Sequence, residues 1–204
     1  HVPTVGASPQ FNIPEDPFIL ITAGGGGDGE GLMEWVLRAY EYDPDLPYPA
    51  VLVLGPFMSQ EKQAEFLDRA NRLDRVQAMT IDARLENLMS KAAGMVSMGG
   101  YNTFCEILSF DKRALIIPRT EPRLEQYIRA KRAEELGLIS MLVDNGDHDP
   151  KEMAKSLRKL PSQPRPSEIL PEDILGGLPQ VNRLAKRWLR KSRDLRNIPV
   201  RQRA

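Results

Sequence analysis

Two glycine-rich segments hold the residues best suited to chemistry. In the first, Gly24-Gly25-Gly26-Gly27-Asp28-Gly29, five of six positions are glycine. It follows an apolar run and precedes a stretch of helical period. Residues without side chains let the backbone approach a phosphate and turn several N–H groups toward it, and a helix amino terminus adds partial positive charge. A tight turn alone would need fewer glycines. The spacing also fits G-x-G-x-x-G at Gly24, Gly26 and Gly29, but the second apolar run ends in Gly55-Pro56, where a dinucleotide site places an acid for the ribose. No Gly-Lys-Ser/Thr follows the glycines, which excludes a P-loop.

The second segment is Ser97-Met98-Gly99-Gly100-Tyr101-Asn102-Thr103-Phe104-Cys105-Glu106. Gly99 and Gly100 precede another helical stretch, so a second helix amino terminus is expected beside glycines. Thr103 and Glu106, three apart, share one helix face. A hydroxyl there can bind phosphate, and a carboxylate can accept from two vicinal ribose hydroxyls. In the competing reading, Asn102 or Thr103 caps the helix and Glu106 closes a capping box.

Six short apolar runs must position these segments: Phe18 to Ala23, Ala50 to Gly55, Val76 to Ile81, Gly94 to Met98, Ala114 to Pro118 and Ile139 to Val143. Continuous apolar runs suit strands covered on both faces. Amphipathic stretches lie between them, at Gly31 to Tyr42, Glu61 to Leu73, Ala83 to Ala92, Asn102 to Phe110 and Leu124 to Leu136. The alternation predicts an α/β fold, a doubly wound, mostly parallel six-stranded Rossmann-like sheet with helices on both faces. In strand order 3-2-1-4-5-6 the first and fourth strands are neighbours, and a crevice opens at their carboxyl ends. Both glycine segments would line it, around a negatively charged ligand carrying a ribose.

The 204 residues suffice for one or two domains, with 41% hydrophobic and 27% charged residues, which excludes a mini-protein and wholesale disorder. Lys plus Arg and Asp plus Glu tie at 28 each, so no global field recruits nucleic acid. One cysteine, Cys105, forbids an intramolecular disulfide, and two distant histidines, His1 and His148, forbid the usual His/Cys zinc clusters. Cys105 reads as a small core residue and His148, in Asn145 to Pro150, as part of a turn. No apolar run spans a bilayer, and a cytoplasmic setting is expected.

The start at His1 and the prolines at 3, 9, 14 and 17 suggest a piece of a longer protein. Residues 1–16 read as a lead-in, 17–160 as the ligand-binding domain, 161–178 as a proline-rich linker and 179–204 as a basic helix and tail. From Arg183 to Arg203 there are nine Lys/Arg and one acid, Asp194. Val181, Leu184, Ala185, Trp188 and Leu189 can form an apolar stripe there. Packing on an amino-terminal domain is the favoured expectation, and rest on anionic lipid, a peripheral membrane contact, is the alternative.

The run Gly24 to Gly29, the block Gly99-Gly100-Tyr101-Asn102-Thr103 ending at Glu106, and Pro118 followed by Glu125-Gln126 together resemble the carboxyl-terminal, donor-binding half of GT-B glycosyltransferases. They look most like family 28, which includes the peptidoglycan N-acetylglucosaminyltransferase and diacylglycerol glycosyltransferases. The resemblance covers Pro17 to Leu160. It implies that Gly24, Gly25, Gly26 and Gly27 face the diphosphate of a nucleotide sugar, UDP-linked by expectation. Gly99, Gly100, Asn102 and Thr103 would assist from across the crevice, Glu106 would hold the ribose, and the backbone at Thr80 and Ile81 would meet the base. Glu125 and Gln126 would bind hydroxyls of the transferred sugar. It also implies an inverting transfer without a metal cofactor to a hydroxyl acceptor, lipid or polysaccharide. The acceptor site and general base would belong to an amino-terminal domain absent from this sequence, so the chain alone should bind donor without turnover. A nucleotide-sugar 2-epimerase and a non-catalytic nucleotide-binding module are the alternatives.

Overall fold

The computed structural model describes residues 14–23, 28–80, 85–171 and 177–196. The chain divides into two compact units, His1–Ile169 and Leu170–Ala204. The first holds six parallel strands, β1 (Ile19–Thr22), β2 (Ala50–Leu54), β3 (Val76–Thr80), β4 (Gly94–Ser97), β5 (Arg113–Ile116) and β6 (Ser140–Met141). Their order is β3-β2-β1-β4-β5-β6, the doubly wound order expected from the alternation of runs. Helices α1 (Glu30–Tyr42), α2 (Gln60–Asn71), α3 (Leu85–Lys91), α4 (Tyr101–Ser109), α5 (Glu125–Glu135), α6 (Pro150–Lys159) and α7 (Pro166–Ile169) complete it.

Burial follows strand position. Every residue of β1, β2 and β4 is buried, since these central strands carry helices on both faces. On the edge strand β3 only Val76 is buried, and both residues of β6 are half-exposed. The predicted run Ile139 to Val143 thus supplies a two-residue strand, paired to β5 through Leu115↔Ser140 and Ile116↔Met141.

Helix α1 buries Leu32, Met33, Trp35, Val36, Leu37, Ala39 and Tyr40 in the core against α2 and α6 and keeps Glu30, Glu34, Arg38 and Glu41 on its outer side. The Trp35 Nε1–H donates to the Asp149 carbonyl at 2.7 Å. The Tyr40 hydroxyl donates to the Tyr48 carbonyl at 2.8 Å, and burial pushes its phenol well above the usual range. On the outer side Arg69 ties α2 to α1 through Glu34 and Glu41.

Helix α6 has no counterpart among the helices expected from the sequence. Its start lies in the segment read as a turn: Asp149 caps it, accepting from the Lys151 N–H, and Pro150 occupies the first turn. The buried Met153, Ala154 and Leu157 are the core contacts that make it helical. The segment expected to be an extended connector starts with a 3₁₀ turn, Leu160–Ser162, and reaches α7 at Pro166. Arg113 Nε donates to the Gln163 carbonyl at 2.5 Å, and Asp111 accepts from the N–H and hydroxyl of Ser167, so the stretch is fastened to the amino end of β5. Beside it Lys112 Nζ donates to the carbonyls of Ser90 and Ala92; burial pulls its pKa down, and the Arg165 charge adds to that.

The second unit contains α8 (Gly177–Arg196). Its apolar residues Leu178, Val181, Leu184, Trp188 and Leu189 are exposed. Among the described residues no helix is long and apolar enough to cross a membrane.

Candidate functional site

The site grows out of the sheet register. β1 pairs with β4, and Thr22 lies opposite Ser97, so the loops leaving these strands start one interstrand spacing apart, about 5 Å. A cleft of about 300 Å³ opens there, lined by Thr22, Ala23 and Asp28 from the first loop and by Ser97, Met98, Gly99, Gly100, Tyr101, Asn102 and Thr103 from the second. Arg119 and Gln126 close it from the β5 side. Gly24, Gly25, Gly26 and Gly27 lie outside the described residues, but Ala23 and Asp28, which flank them, both face the cleft.

Two glycines set this geometry. Gly99 has φ +70°, and a Cβ there would stand 2.7 Å from Ile116 Cγ2. Only glycine meets both conditions without strain. A Cβ on Gly29 would stand 2.0 Å from that of Ala23, so the chain returns from the first loop in contact with its own strand end. The β4–α4 loop is braced from beneath and from the side. The Gly99 N–H donates to the buried Ser97 Oγ at 3.2 Å. Arg129 of α5 donates to the Gly99 carbonyl at 2.8 Å, and its guanidinium lies 5.6 Å from the centre of the Tyr101 ring.

Gly100 is the N-cap of α4, with no side chain capping the helix. Thr103 is therefore at the third helical position, and the capping box considered from the sequence does not form. The amides of Tyr101, Asn102 and Thr103 have no carbonyl within the helix to bond. They stand at the positive end of the helix dipole and belong to residues that line the cleft, an arrangement suited to an anion.

Against this geometry, residues 19–169 match the family model described as the glycosyltransferase family 28 C-terminal domain. The chain belongs to that family. The family 28 domain is similar in structure to the calicheamicin glycosyltransferase CalG4, with 18% identity, a TM-score of 0.57, and 74% of this chain and 35% of that chain covered. It is similar also to the glycosyltransferase VinC, solved in complex with dTDP, at 24% identity and TM-score 0.55, covering 74% and 35%. MurG of Acinetobacter baumannii matches at 16% identity and TM-score 0.58, covering 74% and 47%. The chain thus spans between about a third and a half of the length of these proteins, and the likeness is one of fold. Comparison with curated protein sequences gives no match.

The other expected residues of this family 28 domain distribute unevenly. Glu106 stands one turn beyond Thr103 on α4, half-exposed, its carboxylate without an ion pair or hydrogen bond among the described residues. Gln126 is buried, and its Oε1 accepts from the Arg119 N–H at 3.0 Å. Glu125 is exposed and outside the cleft. Thr80, at the end of the edge strand β3, is also exposed, two strands away from β1. Ile81 lies outside the described residues. Cys105 is half-buried on α4.

Asp28, Arg119 and Arg129 were not expected from the sequence. Arg119 pairs with Asp28 across the cleft, 91 positions away. A second cleft of about 350 Å³ shares Asp28, Met98 and Arg119 with the first and extends past Thr120 and Glu121 to Asp144 and Gly146. At its rim the His148 ring meets Asp144 Oδ2 at 2.9 Å and packs on Trp35, ring centres 5.5 Å apart.

Two Asp-x-Asp triplets occur in the chain, Asp43-Pro44-Asp45 and Asp147-His148-Asp149, and each has structural work. Asp43 pairs with Arg158 and accepts from the Asp45 N–H, and Asp149 caps α6. Among the described residues no group of three or more His, Cys, Asp or Glu is placed to hold a metal ion.

Proposed function

We propose that this chain is the donor-binding half of a glycosyltransferase that takes a nucleotide-diphosphate sugar, with UDP as the expected nucleotide, and passes the sugar to a hydroxyl acceptor. The observation that carries this reading is the cleft over the adjoining carboxyl ends of β1 and β4, into which the uncapped amino end of α4 opens. Membership of family 28 supports it, and the dTDP held by the similar VinC agrees in ligand class.

The chemistry follows from the donors present. Charge that develops on the departing diphosphate would be stabilised by fixed amides at a helix end, which need no reorganisation as the bond breaks. Glu106 is not among the described residues that line the cleft; by this reading its carboxylate, one turn beyond Thr103 on α4, would accept from the ribose hydroxyls. The acceptor and the base that deprotonates it would come from another domain, consistent with a chain that spans between about a third and a half of its structural relatives. By this reading the chain alone binds donor and does not turn over.

Calorimetric titration of the chain with UDP, GDP, dTDP and NAD tests the reading. A nucleoside diphosphate should bind and NAD should not; binding of NAD alone would contradict it. Replacing Glu106→Ala should weaken the bound diphosphate by about 10- to 100-fold, the equivalent of a charge-assisted hydrogen-bond pair. An unchanged affinity would remove Glu106 from the ribose site. A longer protein that includes the preceding domain, given a radiolabelled UDP-sugar with lipid and polysaccharide acceptors, separates transfer from epimerisation and from binding without turnover.

A further inference from the structure

Arg119 is the one cationic side chain among the described residues that line the first cleft. It is held from two directions: its backbone N–H donates to the buried Gln126, and its Nη1 pairs with Asp28 on the opposite rim. Its Nε is buried and has no hydrogen-bond partner among the described residues. A guanidinium keeps its charge and presents Nε–H and Nη–H groups as a planar fork that matches phosphate oxygens two at a time. One edge of that fork is spent on a carboxylate, and the Nε of the other is shielded from water with no acceptor among the described residues.

We propose that Arg119 is the cation that holds the diphosphate of the donor, and that Asp28 is a placeholder which the phosphate oxygens displace as the donor enters. This rests on the donor-binding reading above and adds the charged group that the backbone amides lack. Asp28 neutralises Arg119 in the free domain and repels an incoming anion, so donor affinity reflects an exchange of one anion for another. The other anion such a donor can bring is a carboxylate on its sugar, and the experiment separates the two.

The test is calorimetry on the 204-residue chain with UDP, UMP, UDP-glucose and UDP-glucuronate, for the wild type, R119K, R119Q and D28N, with near-ultraviolet circular dichroism as the check of folding. For wild type the diphosphates should bind more tightly than UMP. In R119Q the affinity for UDP should fall by about 10- to 100-fold, while that for UMP changes little. R119K, which keeps the charge without the fork, should fall between them. D28N should bind UDP several-fold more tightly than wild type, and since it keeps Arg119 it reads the exchange even if R119Q does not fold. Equal affinity of wild type and R119Q for UDP, or weaker UDP binding in D28N, would overturn the proposal and leave the donor-binding reading intact. A loss in R119Q confined to UDP-glucuronate would overturn it in favour of a sugar carboxylate. Failure of the wild type to bind any of these, and GDP or dTDP besides, would overturn the donor-binding reading itself.

Discussion

Gly99→Ala will destabilise the domain by about 2 to 5 kcal/mol and abolish nucleotide binding beyond what the unfolded fraction explains. About 1 to 2 kcal/mol comes from placing a Cβ in the left-handed region. The rest comes from the contact at 2.7 Å with Ile116 Cγ2, which the close-packed end of β5 can relieve only by shifting, at a cost of about 1 to 3 kcal/mol. The functional loss has a separate cause. Gly99 adjoins the N-cap of α4, and its carbonyl is the anchor for Arg129, so any relief of the clash moves the amides that face the cleft. Gly100→Ala is the control. Its Cβ would meet nothing within 4 Å and its φ is negative, so stability should stay within about 1 kcal/mol of wild type. Urea unfolding of the two variants gives the comparison, and equal midpoints would show that Gly99 is not required for this turn.

Trp35→Ala should cost about 3 to 5 kcal/mol, the range for a fully buried large aromatic, against a total stability of about 5 to 15 kcal/mol for a domain. The indole is fully buried and joins α1 to the loop before α6 through the Asp149 carbonyl. Trp35→Phe separates the two contributions. It retains much of the packing and loses the hydrogen bond, leaving a carbonyl without its donor, for a loss of about 1 to 3 kcal/mol. Chemical denaturation measures both, and a Trp35→Ala variant as stable as wild type would show that α6 docks without this residue.

The doubly wound sheet was legible because its central strands are continuous apolar runs, a direct consequence of burial on two faces. The edge strands were legible only in part. The sequence of β3 carries Gln77 and Thr80 among its five residues, and only Val76 is buried, since the strand has a neighbour on one side alone. Helix α6 is weakly marked in the sequence because Met153, Ala154 and Leu157 stand among lysines and glutamate, and its cap, Asp149-Pro150, is also turn chemistry. The signal was present as an N-cap followed by proline at the first helical position.

Of the candidate site, the second glycine segment was legible because a turn that needs φ +70° at Gly99 leaves a mark in composition; Gly24 to Gly27 of the first lie outside the described residues. Side-chain roles were less so. Glu125 and Gln126 were expected to act together, but neighbours on a helix point about 100° apart, and here one is exposed while the other is buried and bonded to Arg119. Arg119 and Asp28 are 91 positions apart, and no local pattern signals a pair formed only by the winding of the sheet. Arg129 is likewise an ordinary helix-surface arginine in sequence, and becomes a brace because α5 passes beneath the Gly99 carbonyl.

A crystal structure of the chain grown with a nucleoside diphosphate is the most direct trial of the donor site. Phosphate oxygens should lie within hydrogen-bond reach of the amides of Tyr101, Asn102 or Thr103, with the ribose beside Glu106 and the Arg119 guanidinium turned from Asp28 to phosphate. A nucleotide seated elsewhere on the domain, with the amino end of α4 untouched, would contradict it.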